Sequence, residues 1–112
     1  MTKRRLIIES GAETEIDQAT AWYEQQRPEL AIALAAEVRK ALEDLVHVPN
    51  KSLVAPGTAP ELGIRRLLLP TYAVVMMETG NTIYVLAFAH LKKKLNYWRG
   101  RLRQLLKSTK KL

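Results

Sequence analysis

TIYVLAFAHLKKKLNYWR, residues Thr82 to Arg99, is the stretch on which the fold of this chain turns. Its first half, Thr82 to Ala89, carries apolar residues on both faces and is rich in β-branched and aromatic types. That composition predicts a strand buried on both sides, at the centre of a sheet rather than its edge. His90 follows, then Lys92, Lys93 and Lys94, then Tyr97, Trp98 and Arg99. One rigid strand therefore delivers an imidazole, a cationic cluster and an amphipathic aromatic pair to a single place.

The remaining sequence bounds what surrounds that strand. At 112 residues and 47% hydrophobic content the chain fits one domain, residues 1–112, with a real core. Its longest apolar runs fall far short of the roughly 20 residues of a membrane span. The basic start, Met1 to Arg5, is followed only by Leu6-Ile7-Ile8 before Glu9, too little for a signal-peptide core. A cytoplasmic location without membrane contact is the expectation. There is no cysteine, hence no disulfide or thiolate chemistry, and the two histidines stand far apart. No metal and no cofactor is expected.

Charge is divided unevenly. Residues 1–61 hold 7 Lys/Arg against 10 Asp/Glu, whereas residues 62–112 hold 11 against one, Glu78. That asymmetry predicts a positive surface for phosphate backbones or an acidic protein partner. A solvated basic tail is the plainer alternative.

In chain order, Lys3 to Glu9 reads as a first strand. Ser10-Gly11-Ala12-Glu13 matches a capping box, with Ser10 as the cap. Apolar residues at Ala12, Ile16, Ala19 and Tyr23 then give an amphipathic helix ending near Gln26 or Arg27. Pro28 suits the first position of a second helix. Its stripe runs through Leu34, Val38, Ala41, Leu42 and Leu45 until Pro49 stops it. So short a connection predicts an antiparallel helical hairpin. Residues 49–63 read as the one long loop. Three strands follow, Ile64–Leu69, Tyr72–Glu78 and Thr82–Ala89, with Gly80-Asn81 as a hairpin turn. Trp98, Leu102, Leu105 and Leu106, interleaved with Arg99, Arg101, Arg103 and Lys107, give a short basic helix, with residues 107–112 as a frayed tail. The order β-α-α-β-β-β-α predicts an α+β fold, a helical hairpin packed on an antiparallel sheet, plus a C-terminal basic helix.

The pattern resembles a known family at A-x-x-E-I-D-x-A-x-x-W-Y-E in the first helix, G-I-R-R-L-L-L-P-T-Y-A-V in the middle strands and L-A-F-A-H-x-K-K-x-x-x-Y-W-R at the end. It is similar to the RelE/ParE superfamily of type II toxin–antitoxin toxins, nearer the ParE branch, from about Leu6 to Arg99. The resemblance implies a small basic toxin of a plasmid-stabilisation or chromosomal system. A cognate antitoxin would neutralise it by wrapping its groove, and no small-molecule ligand is implied. ParE-like members poison DNA gyrase by protein contact; RelE-like members enter the ribosome and cut mRNA. A degenerate, inactive antitoxin-binding module is a third possibility.

Each candidate residue carries two readings. His90 suits general-acid work in RNA cleavage, and equally suits capping its strand by hydrogen bonding to backbone. Arg65 and Arg66, adjacent on a strand, face opposite sides. One can meet a phosphate or an acid while the other is a surface charge. A base for a 2′-hydroxyl is harder to nominate, since Glu61 sits in the loop and Glu78 at the far end of the hairpin. Lys92, Lys93 and Lys94 give positive charge without sequence information. Tyr97 and Trp98 suit base stacking or a protein interface, or simply packing of the last helix. Arg99, Arg101 and Arg103 complete the expected target- or antitoxin-binding surface. Tyr72 is read as core.

Overall fold

A computed structural model describes residues 4–47, 52–55, 58, 62–92 and 97–110, with side chains of the last helix described to Lys107. The elements are β1 (Arg5–Ile8), α1 (Ser10–Gln26), α2 (Pro28–His47), β2 (Leu53–Val54), β3 (Ile64–Leu68), β4 (Tyr72–Thr79), β5 (Thr82–His90) and α3 (Arg99–Lys110). They build one five-stranded sheet in the order β1-β5-β4-β3-β2.

The α+β arrangement of a helical hairpin on a sheet is the expected one, with two additions. β1 pairs with β5 in parallel, from Arg5 opposite Thr82 to Ile8 opposite Val85, so the sheet is mixed rather than antiparallel throughout. The crossover from β1 through α1 and α2 supplies the length that a parallel partner requires. Within the stretch read as loop, Leu53 and Val54 pair with Arg66 and Arg65 of β3. Two residues are too few to show a period in sequence. The pairing is held by the Arg65 side chain, which donates to the Ser52 hydroxyl at 2.8 Å and to the Ser52 carbonyl.

The first helix is capped one residue earlier than the capping box implied. Glu9 is the N-cap, and its carboxylate accepts from the Gly11 N–H at 2.9 Å. Ser10 is already helical, and its hydroxyl turns toward the Glu9 carboxylate. A single residue, Arg27, separates the two helices. It is extended (φ −156°, ψ 115°) because Pro28 crowds a helical conformation just before it. The Arg27 N–H closes α1 on the Tyr23 carbonyl, and its own carbonyl accepts from Leu30 N–H, opening α2. At the far end of α2, Arg4 donates its backbone N–H to the Val46 carbonyl and its guanidinium to the Leu45 carbonyl. A cation thus satisfies carbonyls that a helix C-terminus leaves unpaired.

β5 is the middle of two hydrophobic layers, as its composition requires. On one face Ile83, Val85 and Phe88 pack with Val74, Met76 and Leu67 against Ala12, Leu34, Val38, Ala41 and Leu45 of the hairpin. On the other, Leu86 and Ala87 join Ile64, Val75, Met77 and Ala55 beneath Trp98, Leu102 and Leu105. The hairpin and α3 therefore lie on opposite faces of the sheet. The change of parity between Val85 and Phe88 has a local cause. Val75 pairs with Ala87 and Met76 with Val85, leaving Leu86 as an extra residue in β5. Such a bulge sends two successive side chains to one face. No described helix is long and apolar enough to cross a membrane.

Candidate functional site

Where β1 ends, the outer edge of β5 loses its strand neighbour. Side chains take over. The Glu15 carboxylate of α1 accepts from the Phe88 N–H at 3.2 Å, while Arg101 Nη1 of α3 donates to the Leu86 carbonyl at 3.0 Å. The two side chains also meet each other, Arg101 Nη1 to Glu15 Oε1 at 2.6 Å. The Tyr97 hydroxyl donates to Glu15 Oε2 at 2.5 Å, and Glu9 lies 3.8 Å from Arg101. The guanidinium also stands 5.3 Å from the Tyr97 ring centre. This cluster reaches around the open edge and fastens α3 to α1.

The electrostatics follow from that geometry. Burial pushes the Tyr97 phenol well above its ordinary pKa, and the hydrogen bond and negative charge of Glu15 push it further. Burial works against the charge on Arg101. The hydrogen bond and charge of Glu15, with Tyr97 and Glu9, outweigh it and raise the guanidinium pKa. Tyr97 and Arg101, expected as part of a partner-binding surface, are thus engaged inside the fold. Trp98, 5% exposed, packs in the second hydrophobic layer beside them.

The other expected site residues lie elsewhere. Arg65 faces the hairpin side of the sheet, where Glu78 lies 3.1 Å from its Nε and also pairs with Arg4 at 2.6 Å. Arg66 faces the α3 side, opposite Val75, and its buried Nε finds no hydrogen-bond acceptor among the described residues. His90 is exposed at the end of β5, its ring edge-on to Tyr72 at 5.4 Å, and its Nδ1 accepts from the Lys92 N–H at 3.1 Å. That contact is the strand-capping alternative. Tyr72 stacks on Phe88 at 4.5 Å and is partly buried with the hairpin layer.

The register separates the trio His90, Arg65 and Arg66. His90 pairs with Tyr72 and Arg65 with Met76. Four residues along β4 and two strand spacings across put their backbones about 16 Å apart. Arg66 projects from the reverse face. Lys92 is exposed, as are Arg99 and Arg103 on α3. Lys93 and Lys94 lie outside the described residues, as does Glu61.

Glu15 and Glu78 are the organising carboxylates, Glu78 named in the sequence only as a distant candidate base and Glu15 not among the candidate site residues. Glu15 does carry a signal. It adjoins Ile16 in the stripe Ala12-Ile16-Ala19-Tyr23, so it borders the buried side of α1. An acid at such a border needs a partner. Nothing local in the sequence says that the partner stands 86 residues away.

A mixed five-stranded sheet with a helical hairpin on one face and a terminal helix on the other defines the architectural class. No family model and no curated relative matches the sequence. Solved structures do match. A chain of the chromosomal ParDE toxin–antitoxin system of P. aeruginosa superposes with a TM-score of 0.65 at 20% identity, covering 80% of this chain and 98% of that one. A chain of the toxin–antitoxin complex RelBE2 of Mycobacterium tuberculosis does so with a TM-score of 0.55 at 17% identity, covering 80% and 99%. The chain has the fold of these ParE- and RelE-type systems, the fold that its motifs imply.

Proposed function

We propose that this chain is the toxin of a type II toxin–antitoxin pair, of the ParE kind, and that it inhibits DNA gyrase by protein contact. A cognate antitoxin holds it in check. The observation that carries this choice is the dispersal of His90, Arg65 and Arg66. A 2′-hydroxyl attack on phosphate needs acid, base and cation around one phosphorus, and these three share no hollow. Arg65 is also matched by Glu78. Gyrase inhibition asks for a surface rather than such a constellation. The exposed cations Arg99 and Arg103 supply one on α3. The closer superposition on the ParDE chain points the same way.

The second reading, a ribosome-dependent mRNA endoribonuclease, draws on the RelBE2 likeness and on the accessibility of His90. Brief induction in cells divides the two. Gyrase inhibition gives double-strand breaks and altered plasmid topology while transcripts stay intact. Rapid transcript cutting on ribosomes overturns it. Growth unaffected by induction, with antitoxin binding retained, identifies an inactive antitoxin-binding module.

A further inference from the structure

Charge in this fold is sorted by face. α1 carries four acids, Glu13, Glu15, Asp17 and Glu24, and no Lys or Arg, while α2 adds four acids against Arg39 and Lys40. α3 carries five cations and no acid. The hairpin and α3 lie on opposite faces of the sheet, so the helices make one side of the molecule negative and the other positive.

Around α3 the residues divide as sharply. Trp98, Leu102 and Leu105 pack into the second hydrophobic layer, and Arg101 is engaged by Glu15. With 3.6 residues per turn, Arg99, Gly100, Arg103, Gln104 and Lys107 fall on the outward side, and all five are exposed. Gly100, Arg103, Gln104 and Lys107 line one open hollow with Leu106, and a Cβ built on Gly100 meets nothing within 4 Å. The outward face thus offers cations, one amide and a notch without a side chain.

We infer that α3 binds double-stranded DNA, its outward side lying in the major groove. Arg99, Arg103 and Lys107 recur every fourth residue, about 6 Å apart along the helix. A duplex presents one phosphate charge per about 1.7 Å of its axis, so each cation finds an anion within reach. Gly100 lets the helix backbone come close to the base edges, and Gln104 offers the donor and acceptor pair that adenine takes. A helix about 10–12 Å across fits the B-form major groove, about 12 Å wide, but not the narrow one of an RNA duplex. An acidic protein would meet the same cations. Protein interfaces, however, are built on an aromatic or apolar centre depleted of charge. On α3 such residues, Trp98 foremost, face the sheet instead. The acidic hairpin stands on the far side, away from the phosphates. The inference goes beyond the proposed function, and its test contains no gyrase, so the two stand or fall separately.

The purified full chain is titrated into a short fluorescein-labelled DNA duplex and followed by anisotropy at several salt concentrations. An RNA duplex of the same sequence and a glutamate-rich helical peptide are titrated in parallel. Three phosphate contacts predict a log–log salt slope of about −2.7, hence about fortyfold weaker binding at fourfold higher salt. Arg103→Gln and Lys107→Gln are each expected to weaken binding severalfold and to flatten that slope by about one, with Tm unchanged. Gly100→Leu points into open space in the folded chain, so it is expected to keep Tm and to weaken DNA binding about tenfold. Undiminished DNA affinity in Gly100→Leu, or equal binding of the RNA duplex, overturns placement in the major groove. Binding of the peptide and not of the DNA overturns the choice of partner.

Discussion

Glu15 and Arg101 come within 2.6 Å of each other although they belong to the first and last helices, which lie on opposite faces of the sheet. Both are largely shielded, with side chains 16% and 26% exposed. Each also holds a backbone group of β5 that no strand covers. Removing either partner strands the other and a β5 peptide group together. Arg101→Met is expected to cost roughly 1–3 kcal/mol, less than a fully buried pair because solvent still reaches both groups. Glu15→Gln keeps an acceptor and is expected to cost less. A double-mutant cycle in chemical denaturation checks this. Additive losses from the two single variants show that the pair is not coupled.

Tyr97 gives the cluster an optical reporter. Its folded-state pKa is raised, so the contribution to stability is fully present below the unfolded tyrosine value near 10. That contribution is lost as pH rises through the folded value. The tyrosinate absorbance should therefore lag in one phenol, and stability should fall on the alkaline side from about pH 10 upward. In Tyr97→Phe the delayed phase should vanish and the alkaline fall become shallower. A delayed phase unchanged in that variant assigns it to Tyr72, whose phenol is also raised, by burial and by Tyr23.

Gly63 holds the turn into β3 with φ +70°, and a Cβ there would lie 2.4 Å from the Glu78 carbonyl oxygen. The Glu78 N–H donates to the Gly63 carbonyl at 2.8 Å, so neither backbone can withdraw without loss. Gly63→Ala is expected to cost about 2–4 kcal/mol, enough to lower Tm by about 10 °C or more. Gly80 (φ +55°) has nothing within 4 Å of a built Cβ. Gly80→Ala therefore carries the backbone term alone, about 1 kcal/mol. Thermal unfolding of the two variants side by side separates clash from conformation.

Periodicity makes most of this fold legible in the sequence. The double-sided apolar pattern of Thr82 to Ala89 marks a strand buried on both faces, although β4 and not β5 is the middle of the five. Pro28 marked the helix break and Gly80-Asn81 the last hairpin. What stayed hidden was non-local or too short to carry a period. Leu53-Val54 is two residues long, and the parallel docking of β1 leaves no trace in Leu6-Ile7-Ile8. The bulge at Leu86 depends on register against β4, which one strand's sequence does not encode. In the candidate site the composition located the cations but not their allegiance. Arg101 and Arg103 look alike in sequence, and only the position of Glu15 on another helix tells them apart.

That contrast yields the sharpest functional expectation. Arg103 is exposed, whereas Arg101 is committed to Glu15, Glu9 and the Leu86 carbonyl. Arg103→Glu should leave unfolding within about 0.5 kcal/mol, since it breaks no buried contact. If α3 presents the effector surface, the same change abolishes growth inhibition on induction. Arg101→Glu would set a third carboxylate beside Glu9 and Glu15 and should loosen α3 outright, losing stability and toxicity together. His90→Ala is expected to keep full toxicity, because its ring lies well away from both arginines of β3. Growth curves after induction, read with Tm for each variant, decide the matter. Toxicity surviving Arg103→Glu but lost in a folded His90→Ala moves the proposed working site from α3 to the end of β5, and with it the proposed target from gyrase to RNA.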